Sequence, residues 1–111
     1  MLDIVKAIRL IDQCWGDEVV PTLIEYIKIP NKSPSFDPDW AAHGYMDEAV
    51  ALFERWARAK LDALPGASLD VVRLSGRTPV IMIDIPGAAA DTVLLYGHLD
   101  KQPEMVGWAE G

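Results

Sequence analysis

The hydrophobic pattern changes its period at Pro65-Gly66, and this change divides the chain into a helical part and an extended part. Before it, apolar residues recur with helical spacing in three stretches, which predict helices over about 2–15, 17–29 and 44–64. After it, apolar and polar residues alternate or form short apolar runs, which is typical of β-strands. The order of elements therefore predicts an α/β fold.

The first two predicted helices are separated at Gly16. Asp17 is a suitable N-cap for the second helix, and Pro21 falls within its first turn, where the missing N–H costs little. Pro30 ends this helix, and the residues that follow, 30–41, are rich in Pro, Asn, Ser and Asp. We therefore expect a loop between the second helix and the long third one.

The extended part predicts a hairpin and one further strand. Residues 69–74 and 79–85 are joined by Ser75-Gly76-Arg77, which supplies a turn between two strands. Residues 92–96 are almost wholly apolar, which fits a strand buried on both faces of a sheet that helices cover. The expected architecture is therefore helices, then a β-hairpin, then a buried strand.

Composition excludes several classes of function. The formal net charge of −7 argues against nucleic acid as a partner, because a phosphate backbone requires a basic surface. The apolar runs are too short to span a bilayer, and the residues after Met1 do not resemble a signal peptide. Cys14 is the single cysteine and lies in an apolar helical stripe, so it is predicted to pack in the core. A cytoplasmic protein without membrane attachment is expected.

The end of the third predicted strand carries the one pattern that suggests chemistry. Gly97 allows the backbone to bend, and His98 and Asp100 then lie two residues apart. In an extended segment such side chains point to the same side. This arrangement suits a histidine that binds a metal ion through one imidazole nitrogen while a carboxylate accepts the other N–H.

Two other interpretations of this pair remain open. His-x-Asp by itself also describes a hydrogen-bonded histidine at a sheet edge, and one histidine is not a zinc site, since three protein ligands are the usual minimum. The domain could then be a non-catalytic interaction or oligomerisation module in which His98 and Asp100 are structural. Such a module would use an exposed strand to pair with another chain.

A longer string gives the pair its context. The residues from Leu94 to Pro103, LLYGHLDKQP, resemble the metal-ligand strand of the co-catalytic two-zinc metallopeptidases. That family includes carnosine dipeptidases, glutamate carboxypeptidases, aminoacylases, and acetylornithine and succinyl-diaminopimelate deacylases. The upstream order of helix, IPNKSP at 29–34, long helix and hairpin agrees. Gln102-Pro103, with Trp108 shortly after, is most similar to the dipeptidase branch.

The resemblance implies a fold, a cofactor and two site residues. Residues 1–111 would be the N-terminal portion of an α/β/α sandwich catalytic domain that holds two Zn²⁺ ions. His98 matches the first zinc ligand, and Asp100 matches the catalytic aspartate that orients it. The implied reaction is hydrolysis of peptide or N-acyl amino acid amide bonds by metal-activated water, in a protein that forms homodimers. The general base and the other ligands are expected beyond residue 111, so this chain alone is expected to be inactive.

Other polar residues receive simpler interpretations. His43, in the loop before the long helix, is predicted to face solvent or to cap the helix. Asp37 and Asp39 are predicted turn and N-cap residues. Lys101 and Glu104 follow the motif and are expected to border the cleft, without an assigned role.

Overall fold

The computed structural model describes residues 1–109, and in these residues the helices precede a two-stranded sheet. The coarse prediction of a mixed α/β fold is therefore confirmed. The elements are α1 (Ile4–Cys14), a π-helical segment (Trp15–Val19), α2 (Val20–Lys28), α3 (Trp40–His43), α4 (Tyr45–Leu61), β1 (Ser68–Val72) and β2 (Val80–Asp84).

Helices α1 and α2 are joined without a break, so the prediction of an interruption at Gly16 is wrong. The chain instead widens into a π-turn, in which the N–H of Val20 donates to the carbonyl of Trp15. Pro21 lies next in the chain, and an α-helical turn would place its ring against the carbonyl of Asp17. A π-turn at this point accommodates the proline while the helix continues.

The predicted end of α2 at Pro30 is confirmed. Ile29 has an extended backbone, with φ −79° and ψ 119°, and the helix ends at Lys28. The cause is steric, because the ring of a proline disfavours the helical conformation in the residue before it. The chain therefore leaves α2 in an extended direction, and this places Asn31 directly beyond the end of the helix.

Helix α4 provides most of the buried surface. Gly44, with φ +74°, connects α3 to α4 through a left-handed conformation that glycine adopts without strain. Glu54 and Arg58 form the predicted i,i+4 ion pair at 2.7 Å on the exposed side. Among residues 1–109, the buried apolar residues are Ile29, Met46, Ala49, Val50, Ala57 and Leu69.

The predicted hairpin is confirmed, with an antiparallel register that pairs Leu69 with Ile83 and Val71 with Ile81. The turn between the strands contains Gly76, with φ +70°, and a hydrogen bond of 3.1 Å from the N–H of Arg77 to the carbonyl of Leu74. β1 lies against α4, and Leu69 is the strand residue that is buried there.

The third predicted strand is not formed, which corrects that part of the expected architecture. Residues 92–96 have no regular secondary structure, and the side chains of Val93, Leu94, Leu95 and Tyr96 are 84 to 90% exposed. A strand requires a neighbouring strand to satisfy its backbone N–H and C=O groups. Within residues 1–109 the sheet has only β1 and β2, which pair with each other. Residues 1–109 therefore show a mixed α/β fold, and their place in an α/β/α sandwich stays a prediction.

The chain exposes more surface than an ordinary domain of its size. Its accessible surface is 9247 Å², whereas a folded monomer of 12.2 kDa exposes about 6,100 Å². Its radius of gyration of 17.1 Å exceeds the roughly 13 Å expected for this length. The larger accessible surface and the larger radius of gyration both reflect apolar side chains of α1 and of residues 92–96 that no other part of residues 1–109 covers. Within residues 1–109, no helix is long and apolar enough to cross a membrane.

Candidate functional site

The segment that carries the predicted motif returns to the helical part of the molecule at Lys101. The N–H of Lys101 donates to the carbonyl of Asn31 at 2.9 Å, and the N–H of Ser33 donates to the carbonyl of Lys101 at 2.9 Å. These bonds form a short parallel bridge between Lys32 and Lys101. The loop after α2 therefore holds the backbone immediately after His98-Leu99-Asp100.

Asn31 adds side-chain bonds to the same segment. Its side chain is almost completely buried, with 1% of its surface exposed. The amide Nδ2 donates to the carbonyl of Leu99 at 2.7 Å, while Oδ1 accepts from the Lys101 ammonium at 2.6 Å. The hydroxyl of Tyr26 donates to the same Leu99 carbonyl. The carbonyl between His98 and Asp100 is thus held by two donors.

The ammonium of Lys101 lies at the C-terminal end of α2. Besides Asn31, it donates to the carbonyl of Tyr26 at 2.7 Å and to that of Ile29 at 2.5 Å, so its three N–H groups each have an acceptor. It also lies 3.8 Å from the centroid of the Tyr26 ring. A cation here adds a second donor to the Tyr26 carbonyl, which also accepts from the N–H of Ile29 at 3.1 Å, and it complements the negative end of the helix dipole. We call Tyr26, Asn31 and Lys101 the anchor cluster.

Burial in the anchor cluster shifts two ionisable groups. Desolvation lowers the pKa of Lys101 from its ordinary value, although its acceptors favour the charged form. Desolvation is also the largest cause that raises the pKa of Tyr26, and the nearby Asp100 carboxylate raises it further, against the effect of the Asn31 hydrogen bond. Tyr26 is therefore a neutral hydrogen-bond donor at physiological pH.

The structure brings His98 and Asp100 together. Nδ1 of His98 lies 3.1 Å from Oδ1 of Asp100 and 3.0 Å from the backbone carbonyl of Asp100. If Nδ1 carries the proton and donates it to these oxygens, Nε2 retains the lone pair that a metal ion requires. The histidine side chain is 62% exposed and the aspartate side chain 32% exposed. This is the geometry that the spacing predicted, whereas the metal-binding and catalytic roles stay predictions.

The residues present fit a zinc site in part. Imidazole nitrogen is a ligand that zinc prefers, and an Nδ1 bonded to a carboxylate is the usual support for such a ligand. Within residues 1–109, however, no group of three histidine, cysteine, aspartate or glutamate side chains lies close enough to hold an ion. This part of the chain would therefore contribute one ligand, His98, and its orienting carboxylate, Asp100.

His43 does not join this arrangement. Its Nδ1 lies 2.9 Å from Oδ2 of Asp37, and this hydrogen bond, followed by the charge of Asp37, raises the pKa of His43. Asp39 occupies the predicted N-cap position, at the start of α3, but makes no capping hydrogen bond with its side chain. The predicted turn residue Asp37 thus has a specific partner that the sequence interpretation did not identify.

The sequence interpretation missed the anchor cluster. Lys101 was expected only to border the cleft, although one signal was present: in an extended segment it lies on the opposite side from Asp100, which turns it toward the protein when the carboxylate faces a cleft. Nothing in the local sequence identified its partners, because Tyr26 and Asn31 precede it by 75 and 70 residues.

Compared with known proteins, the sequence matches no family model and no curated protein. The resemblance to two-zinc metallopeptidases therefore rests on the motif and on the order of the elements around it.

Proposed function

We propose that this chain is the N-terminal portion of the catalytic domain of a zinc-dependent hydrolase that cleaves peptide or N-acyl amino acid amide bonds. The observation that carries the proposal is the pairing of His98 Nδ1 with the Asp100 carboxylate at 3.1 Å, directly after Gly97. This pairing selects the tautomer in which Nε2 is free to bind a metal ion. The complete protein would be a cytoplasmic homodimer with an α/β/α sandwich domain and two zinc ions.

In this proposal, His98 would hold one of the zinc ions. A zinc ion held there would supply activated water for attack on the amide carbonyl, since zinc lowers the pKa of its water to roughly 7. Asp100 keeps the imidazole in one tautomer and one orientation, and its negative charge makes the ring a stronger ligand. In this proposal neither residue is the general base, and that role would belong to a residue in a later part of the domain.

The exposed apolar surface supports a larger domain. One side of α1 exposes Ile4, Ile8 and Ile11, and the run from Val93 to Tyr96 is also exposed. Contiguous apolar surface of this kind usually marks a place where further protein packs. Additional strands and helices of a sandwich would cover these residues and would also bring the remaining metal ligands.

The test uses the natural protein that carries this sequence. Zinc content is measured by elemental analysis, and hydrolysis is measured on dipeptides and on N-acetyl amino acids. We expect two zinc ions per chain and amidase activity, both reduced in His98→Ala, with a loss of activity in Asp100→Asn. His43→Ala is the matched control and is expected to behave as the wild type. A zinc content and an activity that stay unchanged in His98→Ala would refute the proposal.

A titration of the 111-residue chain separates the single ligand from the complete site. Because this part supplies one ligand, its zinc affinity measured by calorimetry is expected to be weak. Submicromolar affinity that survives His98→Ala would show that the assigned ligand is wrong.

A second candidate is a non-catalytic interaction or oligomerisation module. It is favoured by the exposed run from Val93 to Tyr96, since strand-forming residues without a partner tend to pair with another chain. In that case the natural protein would contain no zinc, and His98→Ala would alter only its stability. The metal analysis of the wild-type protein distinguishes the two candidates.

A further inference from the structure

The backbone on the N-terminal side of the His98-Asp100 pair has little to hold it in place. Residues 85–100 contain no helix or strand, and the side chains from Val93 to Tyr96 are exposed. The position of the pair is therefore determined by contacts at Leu99 and Lys101, the residues that alternate with it along the chain. Those contacts are made by the anchor cluster.

We propose that Lys101 and Asn31 are positioning residues of the zinc site, which hold the backbone of residues 99–101 against the end of α2 and thereby set the place and angle of the His98 ring. This inference rests on the proposed function. Neither residue is a ligand or touches the reacting atoms in this arrangement. Both act through the backbone on either side of Asp100.

Three sets of bonds carry the argument. The Leu99 carbonyl, which separates the ligand from its orienting carboxylate, accepts from Asn31 Nδ2 at 2.7 Å and from the Tyr26 hydroxyl. The backbone N–H and C=O of Lys101 are both bonded to the loop after α2, at 2.9 Å each. The Lys101 ammonium joins that loop to the end of α2 through three oxygen atoms.

The chemistry of lysine suits this place. Its ammonium has three N–H groups, and each donates to a different oxygen atom. Two of these oxygens are carbonyls at the end of α2, and the third is Oδ1 of Asn31. A methionine at this position would fill a similar volume but would leave the buried Oδ1 of Asn31 without its partner. An arginine would retain the charge, but its planar group directs its N–H bonds differently. The residue that follows the motif is therefore specific in both charge and shape.

The consequence is an effect on metal affinity without any change of ligand. If residues 99–101 shift, the distance of 3.1 Å between His98 Nδ1 and the Asp100 carboxylate changes, and so does the direction of Nε2. Loss of a partner that orients a ligand typically weakens metal binding about 10- to 100-fold. We expect Lys101→Met to produce a loss in this range.

The experiment is done on the natural protein with Lys101→Met and with Lys28→Met as the matched control. Lys28 also lies at the end of α2, but its ammonium pairs with Glu25 on the surface. Zinc affinity is measured by competition with a chromophoric chelator, and the absorption spectrum of the Co²⁺-loaded protein reports the ligand geometry. Hydrogen exchange at the amides of Ser33 and Lys101 reports the local backbone.

For Lys101→Met we expect zinc affinity about 10- to 100-fold weaker, an altered Co²⁺ spectrum and faster exchange at both amides. Lys28→Met is expected to match the wild type in all three. Lys101→Arg is expected to recover part of the affinity. Zinc affinity and a Co²⁺ spectrum equal to those of Lys28→Met would overturn the positioning role, even if exchange were faster.

Tyr26→Phe keeps the proposal testable if Lys101→Met does not fold. It removes only the hydroxyl that donates to the Leu99 carbonyl and retains the ring beneath the ammonium. We expect a smaller loss of zinc affinity, and an unchanged affinity would count against the proposal. Failure of the proposed function has a different result: the wild-type protein would bind no zinc, whatever the variants show.

Discussion

Helices α1 and α4 have the same kind of sequence pattern and opposite surroundings. Each carries apolar residues at helical spacing, yet Met46, Ala49 and Val50 of α4 are buried, while Ile8 and Ile11 of α1 are exposed. α4 packs against β1 through its buried side, whereas no residue of α1 is buried. An apolar stripe therefore shows that a helix has a face to bury, but it does not identify the surface that covers it.

The two extended regions differ in the same way. The two strands of the hairpin pair readily because only seven residues separate them in the chain. Their register follows from the local turn that joins them. The run from Val93 to Tyr96 is at least as apolar but is exposed. In both comparisons, the region that is packed or paired has its partner nearby in the chain.

The largest expected effect contrasts the two helices directly. In the 111-residue chain, Met46→Ala removes a side chain that is 3% exposed and should lower the free energy of unfolding by about 2–5 kcal/mol. Ile8→Ala removes one that is 53% exposed and should change it by no more than about 0.5 kcal/mol. Urea denaturation measures both. Equal losses would mean that α1 is packed in solution.

The next largest loss of stability is expected at Asn31, which joins the exposed segment before residue 99 to the end of α2. Asn31→Ala leaves the Leu99 carbonyl and the Lys101 ammonium each with one partner fewer, and should cost about 1–3 kcal/mol. Gln13→Ala, on the exposed surface of α1, is the control and should have almost no effect. If the two substitutions gave the same denaturation midpoint, the segment around residue 99 would not be attached to α2 in solution.

A smaller effect compares the exposed side of α4 with its buried side. The Glu54–Arg58 pair lies on the surface, so a double-mutant cycle with Glu54→Gln and Arg58→Gln should give a coupling of about 0.3–0.5 kcal/mol. A coupling above about 1 kcal/mol would indicate that this side of α4 is shielded from solvent, and the contrast between the two sides of the helix would then be lost.

The smallest expected effect is the pH-dependent contribution of His43 to stability. The hydrogen bond to Asp37 raises the pKa of His43 above 6.5, so its contribution to stability is fully present below pH 6.5 and is lost as the pH rises through the folded-state value. Proton NMR of the imidazole should show a midpoint above 6.5 that falls in Asp37→Asn. An identical midpoint in both proteins would exclude the hydrogen bond.

Local features could be predicted from the sequence with good accuracy. The end of α2 before Pro30, the hairpin and the Glu54–Arg58 pair all depend on residues close together in the chain, and each is present. The proximity of His98 to Asp100 also follows from a spacing of two. The break expected at Gly16 was wrong because the steric demand of Pro21 is met by a π-turn within a continuous helix.

The sequence by itself determined where the three longer helices and the hairpin form and which two side chains lie side by side after Gly97, because these depend on backbone sterics and on periodicity over a few residues. It did not indicate the short helix α3, which lies where a loop was expected. Only the tertiary structure decided that α4 is buried while α1 is exposed. It also decided that Lys101 meets Tyr26 and Asn31, some seventy residues earlier in the chain. The physical reason is that burial and long-range hydrogen bonds require a partner surface, and a local pattern does not specify that partner.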